Sequence, residues 1–217
     1  MSFDGFCRAC AKHRNVIMNL ETFLEQYDRE NGLVLLGGKR KVDEAFKDRC
    51  IQLGALLAKK TKALKFRTGN ADGADALFAQ GVASIDPSRL QSVIPYQGHR
   101  RKSNLAYDTR SLDHLDLAQE PEIVYQSKAD ASMSRLVDQY VQGERHRFAQ
   151  KAAYILRDTW MVLGNEELSA ASIGLFYDDL LNPRQGGTGH TMNTCSRNGV
   201  PVIDQRTWLA WIDHGAS

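Results

Sequence analysis

The sequence predicts an α/β domain, a mostly parallel sheet covered by helices, preceded by a short helical extension. Three observations lead there. Short β-rich runs alternate with helical patterns along the chain. Leu33-Val34-Leu35-Leu36 is a continuous apolar run, as a strand buried on both faces requires. Glycine-bearing turns follow several strand candidates, at the sheet edge where open α/β folds place their ligands.

Taken in order, residues 1–31 form the helical extension and residues 32–217 the α/β domain. Leu33–Leu36 is the first strand and runs into Gly37-Gly38. A helix follows from about Val42 to Lys60, with Val42, Phe46, Ile51, Leu53, Leu56 and Leu57 near helical spacing. Leu64–Arg67 reads as a second strand, ending at Thr68-Gly69-Asn70, and a helix resumes near Gly73-Ala74-Asp75. Ser92–Tyr96 is a third strand and Glu122-Ile123-Val124-Tyr125 a fourth. Residues 97–121 are polar and read as a long loop, often a functional feature in a compact domain. Residues 133–163 are helical, with a break near Gly143. Ala171–Tyr177 is the next strand. It leads through Asp178-Asp179 to Gly186-Gly187-Thr188-Gly189-His190-Thr191, where a helix runs from Thr188 to Arg197. Asn198-Gly199 supplies its stop. Val200–Ile203 is the last strand, and Trp208–Ile212 a terminal helix whose two tryptophans seal the core.

The bulk numbers exclude several classes. The chain has 217 residues, enough to bury a core without disulfides or metals. No apolar run approaches the roughly 20 residues of a membrane span. The start, Met1-Ser2-Phe3-Asp4-Gly5, lacks the basic and apolar stretches of a signal peptide. Cys7, Cys10, Cys50 and Cys195 show no secreted spacing. A cytoplasmic location is therefore expected. The net charge of +2 gives no electrostatic case for a nucleic-acid partner, and none is expected. Lys39-Arg40-Lys41, Lys59-Lys60 and Arg100-Arg101-Lys102 are local basic runs that read first as solvated faces. Cys7, Cys10 and His13 offer three zinc ligands where structural zinc wants four, so no metal is expected; a helical cap is the plainer reading. No other cofactor is expected.

The glycine turn carries the chemistry. Glycines between a strand and a helix let the backbone approach a ligand and adopt positive φ. The first N–H groups of the helix point into the same space, and its dipole favours an anion. Thr188 and Thr191 add hydroxyls and His190 an imidazole. No Lys-Ser/Thr follows, so this is not the Walker pattern; a tight loop needing flexible residues is the plain alternative. The segment Arg67-Thr68-Gly69-Asn70-Ala71-Asp72-Gly73-Ala74-Asp75 also follows a strand and opens a helix. Asn70, Asp72 and Asp75 serve there either as caps or as partners for ribose hydroxyls or an amine.

Leu33–Arg40, Thr68–Asp75 and Gly186–Thr191, in this order, resemble the SLOG superfamily. These are Rossmann-like proteins related to the DNA-processing protein DprA and to the Lonely-guy phosphoribohydrolases. The nearest likeness is to a small bacterial and phage branch with a Thr/Ser-Gly-Gly-Ala-Asp-Gly-Ala-Asp loop and a late Gly-Gly-Thr-x-His-Thr loop. The resemblance covers Leu33 to Ile212 and implies a nucleotide or nucleotide-derived ligand, ADP-ribose-like in kind. By that resemblance Gly186, Gly187, Thr188, Gly189 and Thr191 cradle phosphate. Thr68, Gly69, Asn70 and Asp72, with Gly37 and Gly38, line the same pocket, and Arg157 is the positional match to an arginine that faces the site. Asn70 stands where the family has glycine.

The Lonely-guy hydrolases carry Pro-Gly-Gly-x-Gly-Thr-x-x-Glu, the glutamate acting in N-glycosidic cleavage. Here Gln185 replaces the proline, and Met192-Asn193 stand where the acid would lie. A carboxylate is the natural group for that chemistry, so its absence argues against this route, unless Asp72 or Asp75 substitutes. Whether the chain is an enzyme is thus left open. A binding or sensor protein for a nucleotide-derived molecule is the first expectation, an N-glycosidic hydrolase the alternative, and DprA-like single-stranded DNA binding a third. A homodimer is suggested by analogy with related folds.

Overall fold

A computed structural model describes residues 18–215. Cys7, Cys10 and His13 lie outside them. The elements are α1 (Leu20–Tyr27), β1 (Leu33–Gly38), α2 (Glu44–Lys60), β2 (Lys65–Thr68), α3 (Ala74–Ala83), β3 (Leu90–Ile94), β4 (Asp108–Ser111), α4 (Pro121–Ser127), α5 (Ala131–Val141), α6 (Ala149–Leu163), β5 (Ile173–Tyr177), α7 (Gly186–Arg197), β6 (Val202–Asp204) and α8 (Gln205–Gly215). The six strands form one sheet in the order β4-β3-β2-β1-β5-β6, every pairing parallel. This is a Rossmann-like α/β domain.

The central strand explains the apolar run. Val34 and Leu36 pack into the core beneath α1, α2, α3 and α8, while Leu33 and Leu35 pack into the core beneath α4 to α7. Alternate residues of β1 therefore face opposite layers, and every position must be apolar. α2 and α3 touch through Gly54 and Gly81: a Cβ on Gly54 would lie 2.4 Å from the Phe78 carbonyl oxygen, and one on Gly81 2.0 Å from that of Ile51. Phe23 of α1 is fully buried against Trp211 of α8, ring centres 4.9 Å apart. Trp208 is fully buried too, and its Nε1–H donates to the Phe176 carbonyl at 3.0 Å.

Two expectations fail here. Glu122–Tyr125 is not a strand but lies in α4. Pro121 opens that helix, where its missing N–H costs nothing. Ile123 is buried while Tyr125 is exposed, as a one-sided helix allows. The fourth strand is Asp108–Ser111, inside the stretch read as a loop. It is an edge strand, so its polar residues give no apolar signal. The segment Glu144–Arg147 is the turn between α5 and α6, and Gly143 adopts φ 95° there.

Among the described residues, no helix is long and apolar enough to cross a membrane, and no group of His, Cys, Asp and Glu is arranged to hold a metal ion.

Candidate functional site

The chain proceeds from β1 outward through β2, β3 and β4, then returns to add β5 and β6 on the other side of β1. The carboxyl ends of β1 and β5 therefore flank a topological switch point, where the connections diverge and leave a crevice. A cavity of about 1030 Å³ lies there. Its walls come from Gly37-Gly38-Lys39-Arg40 after β1, from Arg184–Thr188, His190, Thr191, Asn193 and Arg197 before and along α7, and from α6 through Lys151, Tyr154, Ile155, Arg157, Asp158 and Met161. Ala129, Asp130 and Met133 close one side and Asp75 the floor.

The helix α7 begins at Gly186, two residues earlier than the sequence suggests. Its N-cap, Gln185, makes no side-chain capping bond, so the first-turn N–H groups have no protein acceptor supplied by the cap. Gly186 adopts φ 65°. A Cβ on Gly187 would touch only the Asp158 carboxylate, at 3.7 Å. The space above this turn is thus open by sequence, not by accident of rotamer. The turn is also fixed. Lys39 Nζ donates to the Gln185 carbonyl at 2.8 Å and pairs with Asp178 at 3.3 Å. The Arg184 N–H donates to Asp178 at 2.7 Å. The Arg184 side chain folds along α7 onto Asn193 and Ser196. Gly189 faces inward: a Cβ there would lie 1.8 Å from the Arg184 carbonyl oxygen.

The loop after β2 does a different job. Thr68, Gly69, Asn70 and Asp72 do not line the cavity. Thr68 Oγ1 accepts from the Asn70 N–H. Asn70 adopts φ 51° and donates to the His99 carbonyl. Asparagine is among the few non-glycine residues that tolerate this left-handed conformation. Asp72 pairs with Arg100 and is largely exposed. What braces this loop is Asp75, whose carboxylate accepts from Gly38, Gly69 and Ala71 N–H at 3.2, 3.0 and 3.4 Å. Of the expected site residues, Gly37, Gly38, Arg157, Gly186, Gly187, Thr188 and Thr191 border one cavity; the other five do not.

Arg157 is buried beside its neighbour Asp158. Its Nη1 donates to the carbonyls of Gly69 and Val93, and its Nε lies 2.8 Å from Asp158 Oδ1. It ties the ends of β2 and β3 to α6. Asp75 and Asp158 flank it, and burial pushes both carboxyls up, Asp75 to about 6, with Arg157 pulling the other way. His190 is spent internally: its Nε2 meets Thr159 Oγ1 at 3.0 Å, and that oxygen accepts from Ser127 at 2.8 Å. Burial, then Arg197, push it down to about 4, so it is neutral at pH 7. Tyr154 stands at the rim, with Arg40 over its ring at 5.7 Å and His99 and Tyr96 edge-on to it. Asp158, Lys39 and Tyr154 were missed by sequence reasoning. No local pattern marks Asp158, since only the fold brings α6 to the first turn of α7.

Six basic residues border the cavity against three acidic ones. The charged groups lining it are thus in positive excess.

No protein-family model matches the chain, and no curated protein does. Among solved structures, DNA processing protein A of Helicobacter pylori is similar over 84% of this chain and 67% of that one, at 14% identity and a TM-score of 0.45. This is a distant likeness of fold. That protein binds single-stranded DNA, and the expectation of no nucleic-acid partner is withdrawn accordingly. It rested on the total charge of +2, and a total is blind to the local excess of basic residues around this cavity.

Proposed function

We propose that the chain binds a nucleotide or a nucleotide-derived ligand of ADP-ribose type, acting as a binding or sensor protein. The observation that carries this reading is the uncapped glycine start of α7 opening into a positively lined cavity at the switch point. Phosphate oxygens accept from the N–H groups of Gly186, Gly187 and Thr188, charge-assisted bonds of about 1.5–3 kcal/mol each. The helix dipole adds about 0.3–1 kcal/mol. Lys39 and Arg184 hold the turn ready, so little ordering cost falls on binding. The rest of the ligand runs along α6 past Arg40 and Tyr154.

The test is thermal stabilisation and calorimetry with AMP, ADP-ribose and NAD, with a single-stranded oligonucleotide in parallel. Saturable stabilisation by a nucleotide supports the reading. Stabilisation by none of them removes it. Oligonucleotide binding that falls steeply with salt would make a nucleic acid the phosphate carrier.

One observation favours a second reading, N-glycosidic hydrolysis. The acid absent from the glycine segment has a counterpart in space, because Asp158 reaches the cradle from α6. Free base released from AMP, ADP-ribose or NAD, and lost in Asp158→Asn, would establish it; binding without product leaves the sensor.

A further inference from the structure

The cradle has an unusual neighbour. A site for phosphate is expected to keep carboxylates away, yet Asp158 lies beside Gly187, the residue at the centre of the cradle. The gap is 3.7 Å from Asp158 Oδ2 to a Cβ placed on Gly187. Asp158 Oδ1 faces Arg157 Nε. The side chain is about nine-tenths buried, so water screens it poorly.

We propose that Asp158 sets the charge of the anion the cradle holds: a doubly charged group binds only together with a proton on Asp158, whereas a singly charged phosphodiester or pyrophosphate link binds without one. This rests on the phosphate reading of the cradle and extends it to the ligand class. The site suits a phosphate inside a chain, carrying one charge, better than a terminal phosphate carrying two.

The charges around Asp158 support this. Arg157 on the same helix and Arg40 after β1 favour its ionised form, while burial opposes it more strongly. Asp75, from α3, feels the charge of Asp158. His190, on α7, and His99 are held down to about 4, so neither takes up a proton near neutral pH. Lys39 and Arg184, the cations nearest the turn, are bound to Asp178, Gln185, Asn193 and Ser196. A dianion on Gly187 thus brings two charges against a carboxyl whose ionised form burial already disfavours. The sign follows: a bound dianion raises the Asp158 carboxyl above its ligand-free value. Affinity for a dianion is then greatest below the ligand-free value. It falls with rising pH until the ligand-bound value is passed.

The experiment uses two tetrahedral anions that do not titrate between pH 5.5 and 8, sulfate with two charges and methanesulfonate with one. Amide resonances of Gly186, Gly187 and Thr188 report binding at the site by nitrogen-15 NMR. Sulfate affinity is expected to weaken as pH rises across that range, by at most about tenfold per pH unit, and methanesulfonate affinity to stay flat. In Asp158→Asn both stay flat. Asp158→Ser serves equally should the asparagine variant misfold. Sulfate binding independent of pH in the native chain would overturn the proposal while leaving the cradle. So would pH dependence surviving in the variants, which assigns the proton to Asp75. If neither anion moves these amides at any pH, the cradle itself falls, and this inference with it.

Discussion

Replacing Gly187 by valine separates the cradle from the fold. Gly187 has no neighbour in the way: its added Cβ meets only Asp158, at ordinary contact distance, and it lies in the first turn of α7. Valine is a slightly better helix former than glycine, so the backbone change is worth within about 0.5 kcal/mol. In a chain of this size that moves Tm by about 1–2 °C. The two Cγ atoms project into the space where a phosphate would lie, within the first-turn N–H groups. A ligand at 100 times its Kd stabilises the native chain by about 2.7 kcal/mol, or roughly 5–10 °C. That increment should vanish in Gly187→Val while the unliganded Tm moves by no more than about 2 °C. Scanning fluorimetry with and without ADP-ribose reads both numbers on one plate. A variant that keeps its Tm and its ligand-induced shift refutes the cradle. The matched control is Gly189→Ala, whose Cβ would run into the Arg184 carbonyl; it should lose several kcal/mol with or without ligand.

Arg157→Met removes the donor to Gly69 and Val93 carbonyls and leaves Asp75 and Asp158 facing each other, so unfolding free energy should drop by about 3–5 kcal/mol in urea; a drop under 1 kcal/mol would mean the tie is not structural. Asp75, pushed by burial to about 6 in the folded chain from an ordinary value of 3.8, destabilises when ionised. Its contribution is complete below 3.8 and is lost as pH rises through about 6, by up to about 3 kcal/mol. The difference in urea stability between the native chain and Asp75→Asn, followed from pH 4 to 7, should show this fall, since His99 and His190 titrate in the opposite sense over the same range; a difference that stays constant with pH would move the effect elsewhere. Burial pushes the Cys50 and Cys195 thiols up to about 12, so maleimide mapping by mass spectrometry should find both unmodified at pH 7.5 and modified in urea. Labelling of Cys195 in the native chain would contradict its burial on the inner face of α7.

The central elements were legible because they are buried on both sides. Leu33–Leu36 could hardly be anything but an inner strand, and the same holds for Ile173–Tyr177. The errors lie at the sheet edge. Asp108-Thr109-Arg110-Ser111 pairs with β3 on one side alone, so it needs no apolar run and offered none. Ile123-Val124-Tyr125 has the β-branched look of a strand, but only Ile123 has to be buried, and a helix started by Pro121 meets that need. The site divides the same way. Glycines that open onto the cavity or pack against backbone were visible as glycines. Asp158 was hidden because its meaning depends on a helix far along the chain. Reading along the glycine segment for an acid could not find one that arrives from across the cleft.

The strand order explains why the two glycine loops differ in role. β5 lies beside β1 and β2 lies on its far side, so the crevice opens between the β1 and β5 ends. The loop after β2 reaches it only through Ala71 and Asp75. Thr68–Asp72 instead buttress the wall, through Asp75 to Gly38 and through Arg157 to α6. A substitution in that loop can therefore reach the proposed ligand only indirectly, by shifting Gly38 or Arg157, and it should cost stability in proportion. Gly69→Ala is the clearest case, since its Cβ would displace the Arg157 guanidinium. Substitutions at Arg40, Tyr154 or Asp158, which border the cavity without bracing the sheet ends through main-chain bonds, should change what binds more than whether the chain folds. On the proposed reading, ligand choice is set by α6 and the β1–α2 loop, and the glycine segment supplies the part common to any phosphate.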